Sequence, residues 1–132
     1  MDEVLELLKK VRTFYLATVE GDQPRVRPMG AIHVFDGKMY TASGRSKDMS
    51  KQMFVNPKVE MCAFDAETGT WLRVTCKLVE ETSAEAKKSM FDSHPNLGQM
   101  YDIEGEEFLL LRFDDAVARF DSFGGEPTYI KF

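Results

Sequence analysis

Apolar positions change period early in the chain. Val4, Leu7, Leu8 and Val11 fall at i, i+3, i+4 and i+7, which gathers them on one helical face and leaves Glu3, Glu6 and Lys10 outside. From Phe14 to Val19 the pattern becomes a run of β-branched and aromatic residues, halted by Glu20-Gly21-Asp22. The spacing predicts a strand there, a second over Pro24 to Phe35, a tight turn at Asp36-Gly37 and a third strand over Lys38 to Ser43. Ser46 offers the oxygen of an N-cap for a helix whose inward stripe is Met49, Gln52 and Met53 and which ends at Asn56-Pro57. Two more strands are predicted over Val59 to Phe64 and Trp71 to Val79. Thr82-x-x-Glu85 reads as a capping box opening a helix that breaks at His94-Pro95. Phe108 to Phe113 and Ala116 to Phe120 predict a last hairpin across Asp114-Asp115, followed by a tail ending Tyr129-Ile130-Lys131-Phe132.

Six or seven strands at hairpin spacing, with three short helices, favour an antiparallel sheet, because parallel strands need a crossover between each pair. The expected fold is therefore mainly β, a small barrel with peripheral helices. With 132 residues, 43% of them hydrophobic, the chain has material for one core, so residues 1–132 are read as a single domain. The longest apolar run, around Phe108 to Leu111, is too short to cross a bilayer, and Met1-Asp2-Glu3 is not the basic start of a signal peptide. A cytoplasmic protein with no membrane contact is expected. Cys62 and Cys76 form neither a C-x-x-C motif nor a zinc framework, so they are read as small buried residues and no metal site is expected.

A net charge of −5 argues against a general nucleic-acid binder. The charge is uneven, however. Between Gln23 and Lys51 stand six cations (Arg25, Arg27, Lys38, Arg45, Lys47, Lys51) and two acids (Asp36, Asp48), so this stretch is +4 and the rest is −9. In a strand Arg25, Arg27 and Met29 share one face, and two neighbouring arginines repel unless an anion lies near. The loop Gly44-Arg45-Ser46-Lys47 puts two cations at a helix N-terminus, where the macrodipole favours acids. Its N–H groups, the Ser46 hydroxyl, Lys47 and an arginine from the neighbouring strand would together hold a phosphate; the alternative is a solvated loop. Gly30 within a strand, and the small residues of Tyr40-Thr41-Ala42-Ser43, would let a planar ring approach the backbone. His33 is a candidate proton donor near that ring, against a satisfied core histidine, whereas His94 before Pro95 reads as a helix-end residue.

Taken together, the segments Phe14 to Pro28, Asp36 to Ala42, Lys47, Asn56-Pro57-Lys58-Val59-Glu60, Trp71-Leu72-Arg73-Val74 and Phe120-Asp121-Ser122-Phe123 with Gly125-Glu126-Pro127 resemble the pyridoxamine 5′-phosphate oxidase-like, FMN-binding split-barrel proteins. The likeness is to small members of the nitroimidazole-resistance and flavin-reductase type. It implies a six-stranded antiparallel split β-barrel, a homodimer, and one FMN in each of two clefts between subunits. Carried over by position, Arg27 and Lys47 correspond to the phosphate-binding cations, with Ser46 beside them. Pro28, Met29 and Gly30 correspond to the strand whose backbone faces the flavin, and Thr41, Ala42 and Ser43 to the second strand along it. Trp71 and Arg73 correspond to the strand that reaches the cofactor across the dimer or at the ring edge, and Gln52 is a further candidate. Two departures bear on function. The true oxidases carry a C-terminal tryptophan and arginine where this chain ends Tyr129-Ile130-Lys131-Phe132, which argues against vitamin oxidase activity, and Cys76 stands where many relatives have glycine. The expectation is an FMN-binding oxidoreductase that passes electrons to a small-molecule acceptor, with no catalytic acid or base assigned. The alternative is a non-enzymatic binder of flavin, haem or deazaflavin.

Overall fold

Burial alternates over Phe14–Glu20 and Thr70–Glu81 and most clearly over Lys58–Asp65, where every second residue is inside, which sets these strands in one curled sheet over the main apolar core. The computed structural model describes all residues, Met1 to Phe132. In chain order the elements are α1 (Asp2–Val11), β1 (Phe14–Glu20), β2 (Gln23–Met29), β3 (His33–Phe35), β4 (Lys38–Gly44), α2 (Asp48–Val55), β5 (Lys58–Asp65), β6 (Thr70–Glu81), α3 (Ala84–Ser93), α4 (Leu97–Met100), β7 (Phe108–Ser122) and β8 (Thr128–Lys131). The sheet order is β2-β1-β5-β6-β7-β4-β3, antiparallel throughout, with β8 also on β7. The mainly β class is as expected.

The ends of this path, β2 and β3, are not hydrogen-bonded to each other, so the barrel is split. Helix α2 packs on β1 and sends Met49 and Met53 into the same core as Leu16, Met61, Leu72 and Leu111. Helix α1 adds Val4 and Leu8 to that core, and Lys10 ties it to the sheet at Asp65, 2.7 Å away. A smaller cluster of Tyr40, Met90, Leu97, Phe108 and Leu110 seats α3 and α4.

Several expectations are corrected. The strand predicted over Pro24 to Phe35 is two strands, β2 and β3, interrupted at Gly30–Ile32. The predicted last hairpin is one long strand, β7, and the expected tail pairs as β8, so there are eight strands rather than six. The reason lies at Asp114-Asp115. Thr75 pairs with Val117 and Lys77 with Asp114, so Asp115 and Ala116 together oppose Cys76 in a β-bulge, with Asp115 at φ 52°. The bulge bends β7 without reversing it: residues 108–112 pair with β4, residues 117–120 with β8, and β6 runs along both halves.

The helix caps differ as well. Ser46 does not cap α2; Lys47 holds the N-cap position without a side-chain bond, because the Ser46 hydroxyl is taken by Glu107. Ser83, not Thr82, caps α3 by accepting from the Ala86 N–H.

Candidate functional site

The interruption after β2 leaves backbone facing open space. Pro28, Met29, Gly30 and Ala31 form one wall of a cleft of about 480 Å³, continued by Ala42 of β4 and by Lys47 ahead of α2. Arg12 stands at one margin. The opposite wall comes from the segment after α3: His94, Asn96, Leu97, Met100 and Tyr101. Apolar walls with a few polar groups are the usual make-up of a small-molecule site.

Arg27 directly precedes Pro28 in the chain but does not itself line the cleft; its guanidinium is held over β1. Nη1 donates to the Leu16 carbonyl at 3.1 Å and to Thr18 Oγ1 at 2.7 Å, and Nη2 donates to Gln52 Oε1 at 3.0 Å. The Thr18 hydroxyl also donates to Gln52 Oε1, at 2.6 Å. All these partners are neutral. Burial lowers Arg27 from its ordinary value, with Asp48 acting in the other direction, and the group stays charged. The chain has seven arginines. Arg25, Arg45, Arg73, Arg112 and Arg119 each pair with a carboxylate, whereas Arg12 and Arg27 do not. Lys47 also has no ion pair or side-chain hydrogen bond, so the cations left uncompensated include those beside the cleft.

The remaining predicted residues divide by location. Ala42 lines the cleft, but its neighbours in β4 are turned inward. Thr41 is buried and donates to the Ala31 carbonyl at 2.7 Å, and Ser43 is buried next to Ser50, whose hydroxyl donates to the Gly44 carbonyl at 2.6 Å. Ser46 is near Lys47, but its N–H donates to Glu107 Oε1 at 2.9 Å and its hydroxyl to the same oxygen, which holds the Glu107 carboxyl below its usual range. The donors expected to be free for a phosphate thus carry an internal carboxylate. Trp71 and Arg73 do not reach the cleft of their own chain; they lie on the outer face of β6, Trp71 against Phe123 and Arg73 3.4 Å from Asp121.

The two histidines exchange weight. His33 does not line the cleft; its Nε2 lies 2.7 Å from Ser89 Oγ on α3 and its ring 6.2 Å from that of His94, and burial, His94 and Lys9 lower its pKa. His94 lines the cleft, its Nδ1 buried without a partner. Thr18, Glu107, Arg12 and the Asn96 to Tyr101 wall were not singled out by the sequence reading. Thr18 carried a usable signal, since a hydroxyl at an inward strand position needs a buried partner. Burial pushes the Cys76 thiol up to about 12, consistent with an inert core residue. A second polar cavity, of about 530 Å³, contains Arg112 already clamped by Asp114 at 2.7 Å and Glu81 at 2.8 Å.

Comparison with known proteins places this arrangement. Residues 1–118 match the family model described as pyridoxamine 5′-phosphate oxidase. The chain belongs to this family. A solved NimC/NimA family protein from Clostridium acetobutylicum is 39% identical, with a TM-score of 0.93 over 100% of this chain and 92% of that one. A pyridoxamine 5′-phosphate oxidase-related, FMN-binding protein from Nostoc punctiforme shares the fold at 14% identity and a TM-score of 0.67, covering 99% of this chain and 95% of that one. A heme-binding protein from Mycobacterium smegmatis does so at 11% identity and a TM-score of 0.74, with 95% of this chain matching 55% of that one. No curated protein sequence matches. In this family member no helix is long and apolar enough to cross a membrane.

Proposed function

We propose that this family member binds FMN in the cleft between β2 and β4 and serves as an FMN-dependent oxidoreductase acting on a small molecule. The observation that carries the reading is that two cations without a carboxylate partner, Lys47 in the lining and Arg27 next to Pro28, stand at a cleft walled by Pro28 to Ala31. An anion seated there replaces a carboxylate neither cation has, and a phosphomonoester at −1.5 to −2 is a strong candidate. Thr18 and Gln52 fix the Arg27 fork in advance, so little rotamer freedom is lost on binding. At Gly30 the cleft wall carries no side chain, so a planar ring can approach the backbone. These residues fit the cofactor.

When bound, FMN supplies reversible electron transfer; the protein's contribution is anchoring, orientation and exclusion of water. Arg27 and Lys47 hold the phosphate end, the Pro28–Ala31 backbone and Ala42 support the ring, and Met100 and Tyr101 restrict solvent on the opposite side. His94 is positioned at the cleft as a proton carrier for substrate, more so than His33.

The reading includes a homodimer. Tyr15, Val26 and Phe64 are each at least half exposed, and strand register puts them with Cys62 and Trp71 on one outer face of β2, β1, β5 and β6. Pro28, opposite Tyr15 on this face, also lines the cleft, so a second copy seated there would bring its Trp71 and Arg73 toward the ring. The phosphate assignment is tested by affinity for FMN against riboflavin. Arg27→Gln and Lys47→Ala are each expected to weaken FMN about 10- to 100-fold while riboflavin changes little, since each removes a charge-assisted contact. Equal losses for both ligands would place the phosphate elsewhere.

A further inference from the structure

We propose that Arg12 is a second anion-binding point in the cleft, taking the carboxylate of an aromatic carboxylate substrate; the inference rests on the FMN reading above. Helix α1 stops at Arg12 with φ 70° and ψ −38°, and the Thr13 N–H donates to the Val11 carbonyl at 2.8 Å, closing a three-residue γ-turn of the positive-φ kind. This turn is rare and strained for a residue with a Cβ, and glycine would occupy it with least penalty. An arginine stands there instead. Strain of this sort persists where the surroundings impose it and is concentrated at functional sites.

The side chain offers no internal reason for the choice. Although the chain has 22 acids, the Arg12 guanidinium makes no ion pair and no hydrogen bond, unlike every other arginine. A cation near the C-terminus of α1 suits the helix dipole, but Lys9 and Lys10 in the last turn already fill that role. What the turn does achieve is to put Arg12 at the margin of the cleft.

Arg12 cannot share the anion assigned to Arg27. Its carbonyl oxygen lies 3.7 Å from where a Cβ on Gly30 would stand, so it belongs to the Gly30 end of the wall. Gly30 is three residues beyond Arg27, roughly 10 Å of extended chain. The Arg27 guanidinium leans the opposite way, toward Thr18, which pairs with Arg25. Arg12 and Arg27 are therefore two separate cationic points, one in the cleft lining and left for substrate, the other next to Pro28 and assigned to the cofactor phosphate. The wall opposite Pro28–Ala31 carries Leu97, Met100 and Tyr101, so a flat apolar body would lie between these side chains and the flavin; an aromatic ring with one carboxylate satisfies both features.

The test is titration calorimetry of the full chain with benzoate, with and without saturating FMN, paired with FMN titration of each variant. Wild type is expected to bind benzoate saturably, Arg12→Gln to bind it about tenfold or more weakly, and Arg12→Lys to keep it within about threefold. FMN affinity should change less than about twofold in either variant. Arg12→Gly separates ligand binding from folding: its Tm should equal or exceed that of wild type because the turn is relieved, while benzoate binding is lost. Four results would overturn the inference: no saturable benzoate binding in either form, undiminished binding in Arg12→Gln, loss of FMN affinity in Arg12→Gln, or conversion of Arg12→Gln to a monomer. Failure of wild type to bind FMN while benzoate binding remains dependent on Arg12 would overturn the cofactor reading and leave the anion point standing.

Discussion

Arg27 is informative because its company is neutral. Surface arginines usually find carboxylates, and in this chain five do. Arg27 finds a hydroxyl, an amide and a carbonyl, which orient the fork and leave its charge available. Carboxylates elsewhere show the contrast. Asp65 accepts from Lys10 at 2.7 Å and from Thr68 at 3.0 Å, and chiefly the Lys10 contact holds its carboxyl below the usual range. A carboxyl depressed in the folded state stabilises above its unfolded value, near 3.9, and that contribution is lost as pH falls through the folded value. Lys10→Met should therefore lower Tm at pH 7, with the gap to wild type closing as pH falls below the unfolded value near 3.9. A gap independent of pH would mean that Lys10 acts through packing of α1 alone. Residue-scale sequence reading found the cations Arg27 and Lys47 because charge is written in the sequence. It could not find Glu107 on Ser46, sixty-one positions away, because such a contact exists only once β7 lies beside β4.

At the scale of elements, periodicity placed α1, β1, β4, β5 and α3 almost to their ends and failed where one backbone angle decides. Asp114-Asp115 has the composition of a hairpin turn, yet a turn and a bulge use the same residues; which forms depends on whether a partner strand continues past it. Here β6 does continue, through Glu81, so β7 stays paired on both sides of the kink. Similarly, Pro24 to Phe35 reads as one strand because nothing local marks the interruption except Gly30, which reads as a point of close approach within a continuous strand rather than as its end. The bulge makes its own prediction. Asp115 sits at φ 52° and is exposed, so Asp115→Gly should leave stability unchanged or raise it by about 0.5–1 kcal/mol, while Asp115→Val should lower it by about 1–2 kcal/mol. Urea melts would check both, and equal stability of the glycine and valine variants would contradict the assignment of a left-handed bulge position.

For the whole molecule, the split is the organising feature. A barrel whose edge strands do not pair leaves a cleft, and α2, packed on β1, reaches Arg27 through Gln52. Family membership and split-barrel class follow from residues spread along nearly the entire chain, which is why both were legible before the fold was seen. Trp71 and Arg73 were legible only as family positions, and their place on an outer face becomes meaningful only if a second copy covers it. The dimer reading predicts a sedimenting mass near twice 15.1 kDa, reduced to the monomer by Val26→Glu with Phe64→Glu, both of which put a charge into the proposed apolar interface. A wild-type monomer at micromolar concentration would remove Trp71 and Arg73 from the site.

The central claim, that the cleft holds FMN, is met most directly by mixing the protein with excess FMN, removing the free cofactor by gel filtration and measuring flavin absorbance against protein. The account predicts a retained flavin band at about one FMN per chain, lost when Arg27→Gln and Lys47→Ala are combined. A colourless protein after the same treatment, with no change in FMN fluorescence on mixing, would contradict it.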